Sequence, residues 1–320
     1  MITSTRESFI EFMPVSIFGS VMGLCGLSFA WRRAAVIWNI WELPYLIFRL
    51  FAIAAFIALS ACYLVKWYKF RKLIIEEFRS PKTICFFATY IICLLLLPGV
   101  VIDFFPRVAI VIWCTGAILM LFFACYMLRR WLDERQEPDS AMPAWVLPIV
   151  GTLDIPIIGN QLPLPGIHEI TMMAFGIGSV FALVLLVILI SRLIFQAPLP
   201  EGLQPSLFIL TAPLALAFTV YHQLTMKLDI TAGTLFYFNL FLALLLGSKI
   251  FLIPRACPFK ISWWSVSFPL SALSITALTY VENKPDWAHQ LFAAGMLLLA
   301  TIVISYLSVM TMFRVATKTF

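Results

Sequence analysis

Long apolar runs separated by short charged stretches dominate the chain. A helix needs about 20 mostly apolar residues to cross the hydrocarbon core of a bilayer. Dividing the runs at charged or loop residues predicts ten membrane spans. Their bounds are 12–31, 43–65, 83–102, 106–128, 143–160, 170–194, 205–225, 232–253, 262–281 and 288–313. The fifth span is the least regular, because it is short, contains Asp154 and is interrupted by Pro148 and Pro156.

The composition excludes a water-exposed globule. Hydrophobic residues make up 62% of the 320 positions and charged residues only 12%, whereas soluble domains have about 45–50% and about 25%. We therefore predict a single transmembrane domain, residues 1–320. The seven cysteines form no C-x-x-C pair, and all but Cys257 lie inside apolar runs. They are interpreted as small buried hydrophobes, and neither a metal site nor a cofactor is expected.

Proline divides the predicted helices into two alternating kinds. Every odd-numbered span contains proline, whereas Pro44 and Pro106 of the even-numbered spans lie in the first turn, where proline interrupts no helical hydrogen bond. The prolines of the odd-numbered spans are Pro14, Pro98, Pro148, Pro156, Pro213 and Pro269. An interior proline frees a carbonyl, which in lipid must be satisfied by protein or by a water-lined cavity.

This alternation favours five sequential helical hairpins whose kinked odd-numbered helices surround a central path. The even-numbered helices would then shield the inner ones from lipid. Small residues at 19, 20, 23 and 26 would let the first helix approach its neighbours closely. The alternative is that proline is simply common in membrane helices.

The distribution of basic residues predicts the orientation. Ten spans place both termini on one side, and the loops of that side contain sixteen of the 22 Lys and Arg. The positive-inside rule then predicts cytoplasmic termini. Arg6 and residues 28–30 (Ser-Phe-Ala) also resemble a cleaved signal peptide. A retained first helix is favoured, because Pro14 interrupts the run and further spans follow at once.

Several short motifs occur in a fixed order along these spans. They are 13–19 (MPVSIFG), 27–31 (LSFAW), 80–81 (SP), 147–148 (LP), 212–213 (AP) and 263–269 (WWSVSFP). In this order and spacing the sequence resembles the tellurite-resistance/dicarboxylate transporter family, which includes bacterial TehA and the plant guard-cell slow anion channel. The likeness covers nearly the whole chain.

The resemblance implies five inverted hairpins in quasi-fivefold arrangement, one pore per subunit and a homotrimer in the cell (inner or plasma) membrane. In that family a phenylalanine of the ninth helix blocks the pore near its middle, and the pattern W-x-x-x-F-P places Phe268 there. Phe18 occupies another phenylalanine position shared with bacterial relatives. Pro98 comes later in its helix than the family's kink, and Asp154 is an unexpected charge in a pore-facing helix.

Two transport functions are open. The first is a pore that passes small inorganic or organic anions, gated by Phe268, although one phenylalanine among 29 could equally be ordinary packing. Residues expected to line or kink the path are Pro14, Phe18, Pro98, Pro148, Pro213 and Pro269. The second is a proton-coupled carrier or exporter of C4-dicarboxylates such as malate, or of tellurite-type oxyanions.

Charged groups within spans bear on this choice. A carboxylate in a span costs about 2.5–3.5 kcal/mol to insert. Asp154 therefore either couples protons to transport, or bonds to free backbone, or lies near the water interface beside Pro156. Arg49 is expected to extend its charged end toward water. An enzyme is not expected, because H-E-x-x-H and G-x-S-x-G are absent. The basic clusters show no nucleic-acid-binding motif, so the expected partners are anions and the lipid bilayer.

Overall fold

All the regular structure that can be described is helical. The computed structural model describes residues 9–250 and 259–317, and every regular element in these ranges is a helix, which confirms the predicted all-α class. Within them nine helices are long and apolar enough to cross a membrane, and a shorter apolar helix occupies the fifth predicted position. The ten helices, numbered here as spans one to ten, are Val15–Trp38, Leu43–Lys69, Ile84–Val101, Pro106–Asp133, Pro143–Gly159, Ile167–Phe195, Glu201–Thr225, Ile230–Ile250, Ile261–Asn283 and Trp287–Thr317.

Several helices continue beyond their predicted ends. The first runs seven residues past residue 31, through Arg32 and Arg33, because arginine is a good helix former and only hydropathy had set the limit. It ends where Asn39 adopts a left-handed conformation with φ of 49°, a common helix terminator. The predicted end of the eighth span, residue 253, lies outside the described residues.

The odd- and even-numbered spans form separate layers. In the first, third, seventh and ninth spans 72% to 89% of the membrane-length window is buried, against 17% to 39% in the five even-numbered spans. In the fifth span only Leu147 and Ile157 are incompletely buried. Each odd-numbered span contacts the next one, and the ninth contacts the first. The inner helices therefore form a closed ring of contacts, with each even-numbered helix packed on the odd-numbered helix before it.

All five inner spans contain 3₁₀ segments ahead of α-helix. The 3₁₀ segments are Val15–Phe18, Ile84–Phe86, Pro143–Trp145 with Gly151–Leu153, Glu201–Thr211 and Ile261–Val266. A serine or threonine within three residues of each 3₁₀–α junction donates its hydroxyl to the carbonyl three residues earlier. These bonds are Ser20 to Ile17 (2.7 Å), Thr89 to Phe86 (2.6 Å), Thr152 to Ile149 (2.8 Å), Thr211 to Phe208 (2.9 Å) and Ser267 to Trp264 (2.7 Å). We call these five residues the junction hydroxyls.

The junctions correct the expected role of the prolines. Pro148, Pro156, Pro213 and Pro269 each lie in the first turn of an α-segment rather than in the interior of a continuous helix. Proline is tolerated in a first turn, because its missing N–H is not required there. The carbonyls at the junctions are instead bonded by the hydroxyls. Pro98 alone of the predicted set lies beyond the first turn of an α-segment, Phe87–Val101, and Pro14 precedes the first 3₁₀ turn.

The alternation of helix types also explains the short fifth span. It comprises the 3₁₀ segments Pro143–Trp145 and Gly151–Leu153 and the α-segments Val146–Val150 and Asp154–Gly159. A 3₁₀ residue rises about 2.0 Å and an α residue about 1.5 Å. The span is therefore on the order of 28 Å long, close to the roughly 30 Å thickness of a bilayer core.

The first and ninth spans approach each other most closely at two glycines. A Cβ added to Gly23 would lie 2.5 Å from the Cβ of Ser267, and one added to Gly26 would lie 2.7 Å from the Cβ of Ser271. The hydroxyl of Ser271 donates to the Gly23 carbonyl at 3.1 Å. The predicted close approach at these small residues is thereby confirmed.

Candidate functional site

Two cavities lie inside the ring of odd-numbered helices. The first, about 140 Å³, is lined mainly by apolar atoms from all five inner spans near their 3₁₀–α junctions, and we call it the junction cavity. Each span contributes at least one small or apolar residue to its wall. Examples from the five spans in order are Gly19, Ile92, Gly151, Pro213 and Pro269.

The second cavity is larger and more polar. Its volume is about 380 Å³, and it is lined by the C-terminal halves of the same five spans. Arg32 and Arg33 contribute guanidinium groups and Glu282 a carboxylate, while Gln161 and Gln223 contribute amides. We call it the arginine cavity.

Phe268 and Leu216 line both cavities. The two residues are 8% and 7% exposed, so both are buried where the walls of the two cavities meet. Gly26 lies beside the aromatic ring, since a Cβ at that position would be in ordinary contact with Cδ2 of Phe268, at 3.5 Å. The two cavities therefore lie along the same inner helices and share one aromatic and one aliphatic wall residue.

Asp154 also lines the junction cavity. Its exposure is 1%, and neither carboxylate oxygen has a hydrogen-bond partner among residues 9–250 and 259–317. The alternative of a carboxylate bonded to free backbone is therefore wrong. A buried carboxyl group without a partner is costly, and its position on a cavity wall is typical of a functional polar group within a membrane.

The cavity wall repeats from span to span around Asp154. Asp154, Pro213 and Pro269 each lie two residues after a junction hydroxyl, as does Met22 in the first span, and all four line the junction cavity. Asp154 is thus the charged member of an otherwise apolar set. Its side chain stands at the level where the other three spans present proline or methionine.

The remaining predicted positions lie in other surroundings. Phe18 is fully buried and contacts the rings of Phe56, Tyr63 and Tyr90, with centroids 4.9 to 6.3 Å apart. These partners belong to the second and third spans, so its ring packs between helices. Neither described cavity is lined by Phe18 or by Pro14, Pro98 and Pro148.

Arg49 differs from the expectation that it extends toward water. It is 3% exposed; its Nε donates to the Val100 carbonyl at 2.5 Å, and Nη1 lies 3.0 Å from an oxygen of Asp103. The guanidinium also lies over the Phe104 ring, 4.1 Å from its centroid. Arg49 therefore joins the second span to the end of the third, because a carboxylate and a carbonyl replace water as its partners.

Leu216, Gln161, Gln223 and Glu282 are wall residues that sequence reasoning did not single out. One signal was present for the three polar ones: they follow the apolar runs of the fifth, seventh and ninth spans, whose ends the ring of contacts brings together. Leu216 had no such signal, since leucine occurs throughout the spans. Within residues 9–250 and 259–317, no three His, Cys, Asp or Glu side chains cluster closely enough to hold a metal ion.

Comparison with known proteins places this geometry in a family. Residues 13–312 match the family described as SLAC1, voltage-dependent anion channel. The chain is 24% identical to the guard cell S-type anion channel SLAC1 of Arabidopsis thaliana, over 95% of this chain and 56% of the relative. It is also 24% identical to the S-type anion channel SLAH2 of Arabidopsis thaliana, over 92% of this chain and 58% of the relative. The chain thus spans less than three fifths of these plant relatives.

Two prokaryotic relatives match over most of their own length. An uncharacterized transporter of Methanocaldococcus jannaschii is 27% identical over 86% of both chains. The tellurite resistance protein TehA homolog of Haemophilus influenzae is 22% identical over 94% of this chain and 90% of the relative. Together with the apolar helices, the family match identifies a multi-pass membrane protein. The chain belongs to the SLAC1 voltage-dependent anion channel family.

Proposed function

We propose that this protein is a channel for small anions, in which the junction cavity and the arginine cavity form the path and Phe268 closes it. The observation that carries the proposal is that Phe268 and Leu216 are shared by both cavities. An ion that crosses between the chambers must pass these two side chains. An aromatic ring there excludes both ions and water, and rotation of a side chain is enough to admit them.

The electrostatics of the walls support anions as the permeating species. Arg32 and Arg33 line the arginine cavity, and among the described residues of its wall Glu282 alone has a carboxylate. A positive chamber concentrates anions at the constriction. The apolar junction cavity has few groups to replace lost water of hydration, so ions that lose hydration cheaply are favoured.

The experiment that tests this function is anion-substituted flux in liposomes. Purified protein is reconstituted, and uptake of nitrate and chloride is compared with that of sodium and with protein-free vesicles. We expect nitrate to pass faster than chloride, because nitrate is more weakly hydrated, and sodium to be excluded. Equal nitrate and sodium flux, or a rate no greater than in protein-free vesicles, would exclude the channel.

A quasi-fivefold pore architecture is part of the proposal. It is supported by the closed ring of contacts among odd-numbered spans and by the junction hydroxyl repeated once in each of them. Cytoplasmic termini follow from the positive-inside rule, and the cell (inner or plasma) membrane from the resemblance. A homotrimer is likewise proposed from the resemblance, and native mass spectrometry of the detergent-solubilised protein tests it.

A proton-coupled carrier of dicarboxylates or tellurite-type oxyanions is the second candidate, and the unpartnered carboxyl of Asp154 favours it. If Asp154 carries protons, Asp154→Asn abolishes uptake driven by a proton gradient. If the protein is a passive channel, the same change does not lower flux, because no step of conduction then requires the carboxyl group to take up or release a proton. The measurement is uptake of malate and of nitrate with and without an imposed proton gradient.

The matched control for this substitution is Asp133→Asn. Asp133 is exposed at the end of the fourth span and pairs with Arg129 at 3.3 Å, away from both cavities. It makes the same chemical change without touching the path. Gradient-independent flux that survives Asp154→Asn would rule out the carrier.

A further inference from the structure

Within the part of the chain that the structure describes, the guanidinium of Arg33 has one polar partner, and that partner is itself an anion. Its Nη2 lies 2.5 Å from Oε2 of Glu282, and both side chains line the arginine cavity. The Nε of Arg33 is buried and has no hydrogen-bond partner. The Arg33 guanidinium can donate five hydrogen bonds. The Glu282 carboxylate therefore already occupies Nη2, while Nε is unsatisfied.

Arg32 adds uncompensated positive charge to the same wall. Its nearest carboxylate is Asp103, at 3.6 Å, and Arg49 holds that carboxylate more closely, at 3.0 Å. Three guanidinium groups thus share two carboxylates, those of Asp103 and Glu282. The side chain of Arg32 is 47% exposed, so its charge is available to a solute in the cavity.

The chemistry of these groups selects the shape of a ligand. A guanidinium presents parallel N–H donors in a plane, which match two oxygens of a planar anion better than they match a sphere. Gln161 and Gln223 each direct an amide nitrogen to the Ile157 carbonyl, at 3.1 and 3.3 Å, which holds both amides on the wall. At about 380 Å³ the cavity far exceeds the roughly 10–15 Å³ that one water needs, so a hydrated anion fits.

We propose that Arg33, assisted by Arg32, is a binding site for small planar oxyanions such as nitrate, bicarbonate or a carboxylate, and that the Glu282 carboxylate is an internal occupant with which they compete. The inference rests on the proposed function in one respect, since it places this site on the anion path. Permeating oxyanions displace Glu282 from Arg33 before they reach Phe268. Glu282 thereby sets the concentration at which the site fills.

The test measures nitrate binding directly. Purified protein is titrated with sodium nitrate in place of sodium chloride at constant total salt, and the rise in thermal unfolding temperature gives the apparent affinity, because a ligand that binds only the folded state stabilises it. We expect Glu282→Gln to tighten nitrate binding about tenfold, which corresponds to a change of about 1.4 kcal/mol. Arg33→Gln should abolish the stabilisation, and Arg33→Lys should keep the charge but lose the preference for nitrate over chloride.

Control variants separate this site from a general effect of charge. Arg129→Gln removes an arginine that also pairs with a carboxylate, at 3.3 Å, but lies far out on the fourth span with its side chain 84% exposed. It should leave nitrate binding unchanged. Glu282→Asp replaces the competing carboxylate with one on a shorter side chain. Its affinity for nitrate should lie between those of the unsubstituted protein and Glu282→Gln. The inference is overturned if Glu282→Gln binds nitrate no more tightly than the unsubstituted protein, or if Arg33→Gln binds it equally well.

Flux measurements distinguish failure of this inference from failure of the channel. Nitrate binding that depends on Arg33 but produces no flux, even in Phe268→Ala, would leave the site standing and refute conduction. Conversely, Arg33→Gln could pass nitrate with the same half-saturating concentration as the unsubstituted protein. That result would refute the binding site and leave the channel standing.

Discussion

Reconstituted protein carrying Phe268→Ala is expected to pass nitrate and chloride roughly tenfold faster, or more, than the unsubstituted protein. Phe268 lines both cavities, and in the proposed path removal of its ring joins them through a gap of side-chain size. An anion would then keep part of its water shell where the apolar ring had excluded it. A fall of about 1.4 kcal/mol in the barrier is enough for a tenfold change in rate. The measurement is initial anion uptake into liposomes at matched protein content.

Phe18→Ala is the matched control for this prediction. It removes an equally large ring from the buried interior, but one whose neighbours are Phe56, Tyr63 and Tyr90 rather than the cavities. It is expected to lower stability without raising flux. Leu216→Ala should raise flux less than Phe268→Ala, because the remaining ring still obstructs the path. If Phe268→Ala conducts no faster than Phe18→Ala, the gate is not at Phe268.

The broad architecture was predictable from the sequence, because the inner and outer helices of this membrane protein differ in residue composition. Apolar runs located each of the ten spans that the structure describes, and proline marked the spans that are mostly buried. The inner position of those spans is a consequence of their less regular backbone, which needs protein partners. What proline does there could not be predicted, because whether Pro213 interrupts a helix or begins an α-segment depends on the 3₁₀ turns before it.

Residues of the candidate site were predictable only where a sequence motif indicated a particular position. Phe268 came from the order of residues around it, since nothing in composition separates it from Phe18. The pair of Arg33 and Glu282 joins residues 249 positions apart, and no local pattern indicates such a contact. The unpartnered state of Asp154 was equally hidden, because it depends on what the neighbouring helices present to the carboxylate.

Closure of the inner ring should be most sensitive to substitution at Gly23. In Gly23→Ala the new methyl group would lie 2.3 Å from Oγ and 2.5 Å from Cβ of Ser267, too close for any real contact. The first and ninth spans would have to separate, which also strains the bond from Ser271 to the Gly23 carbonyl. We expect a loss of about 1–3 kcal/mol in the free energy of unfolding, measured by thermal or denaturant unfolding in detergent.

A double-substitution cycle shows whether the cause is this one contact. Ser267→Gly removes the atoms that the new methyl group would meet, so Gly23→Ala should cost less in that background than in the unsubstituted protein. Gly233→Ala is the control, because nothing lies within 4 Å of a Cβ added there and alanine favours a helix by about 0.5–1 kcal/mol over glycine. Strictly additive costs for Gly23→Ala and Ser267→Gly would contradict direct apposition of the two helices. Since Gly23 and Ser271 are 248 positions apart in the sequence, coupling between these helices would show that stability depends on the contact that closes the ring.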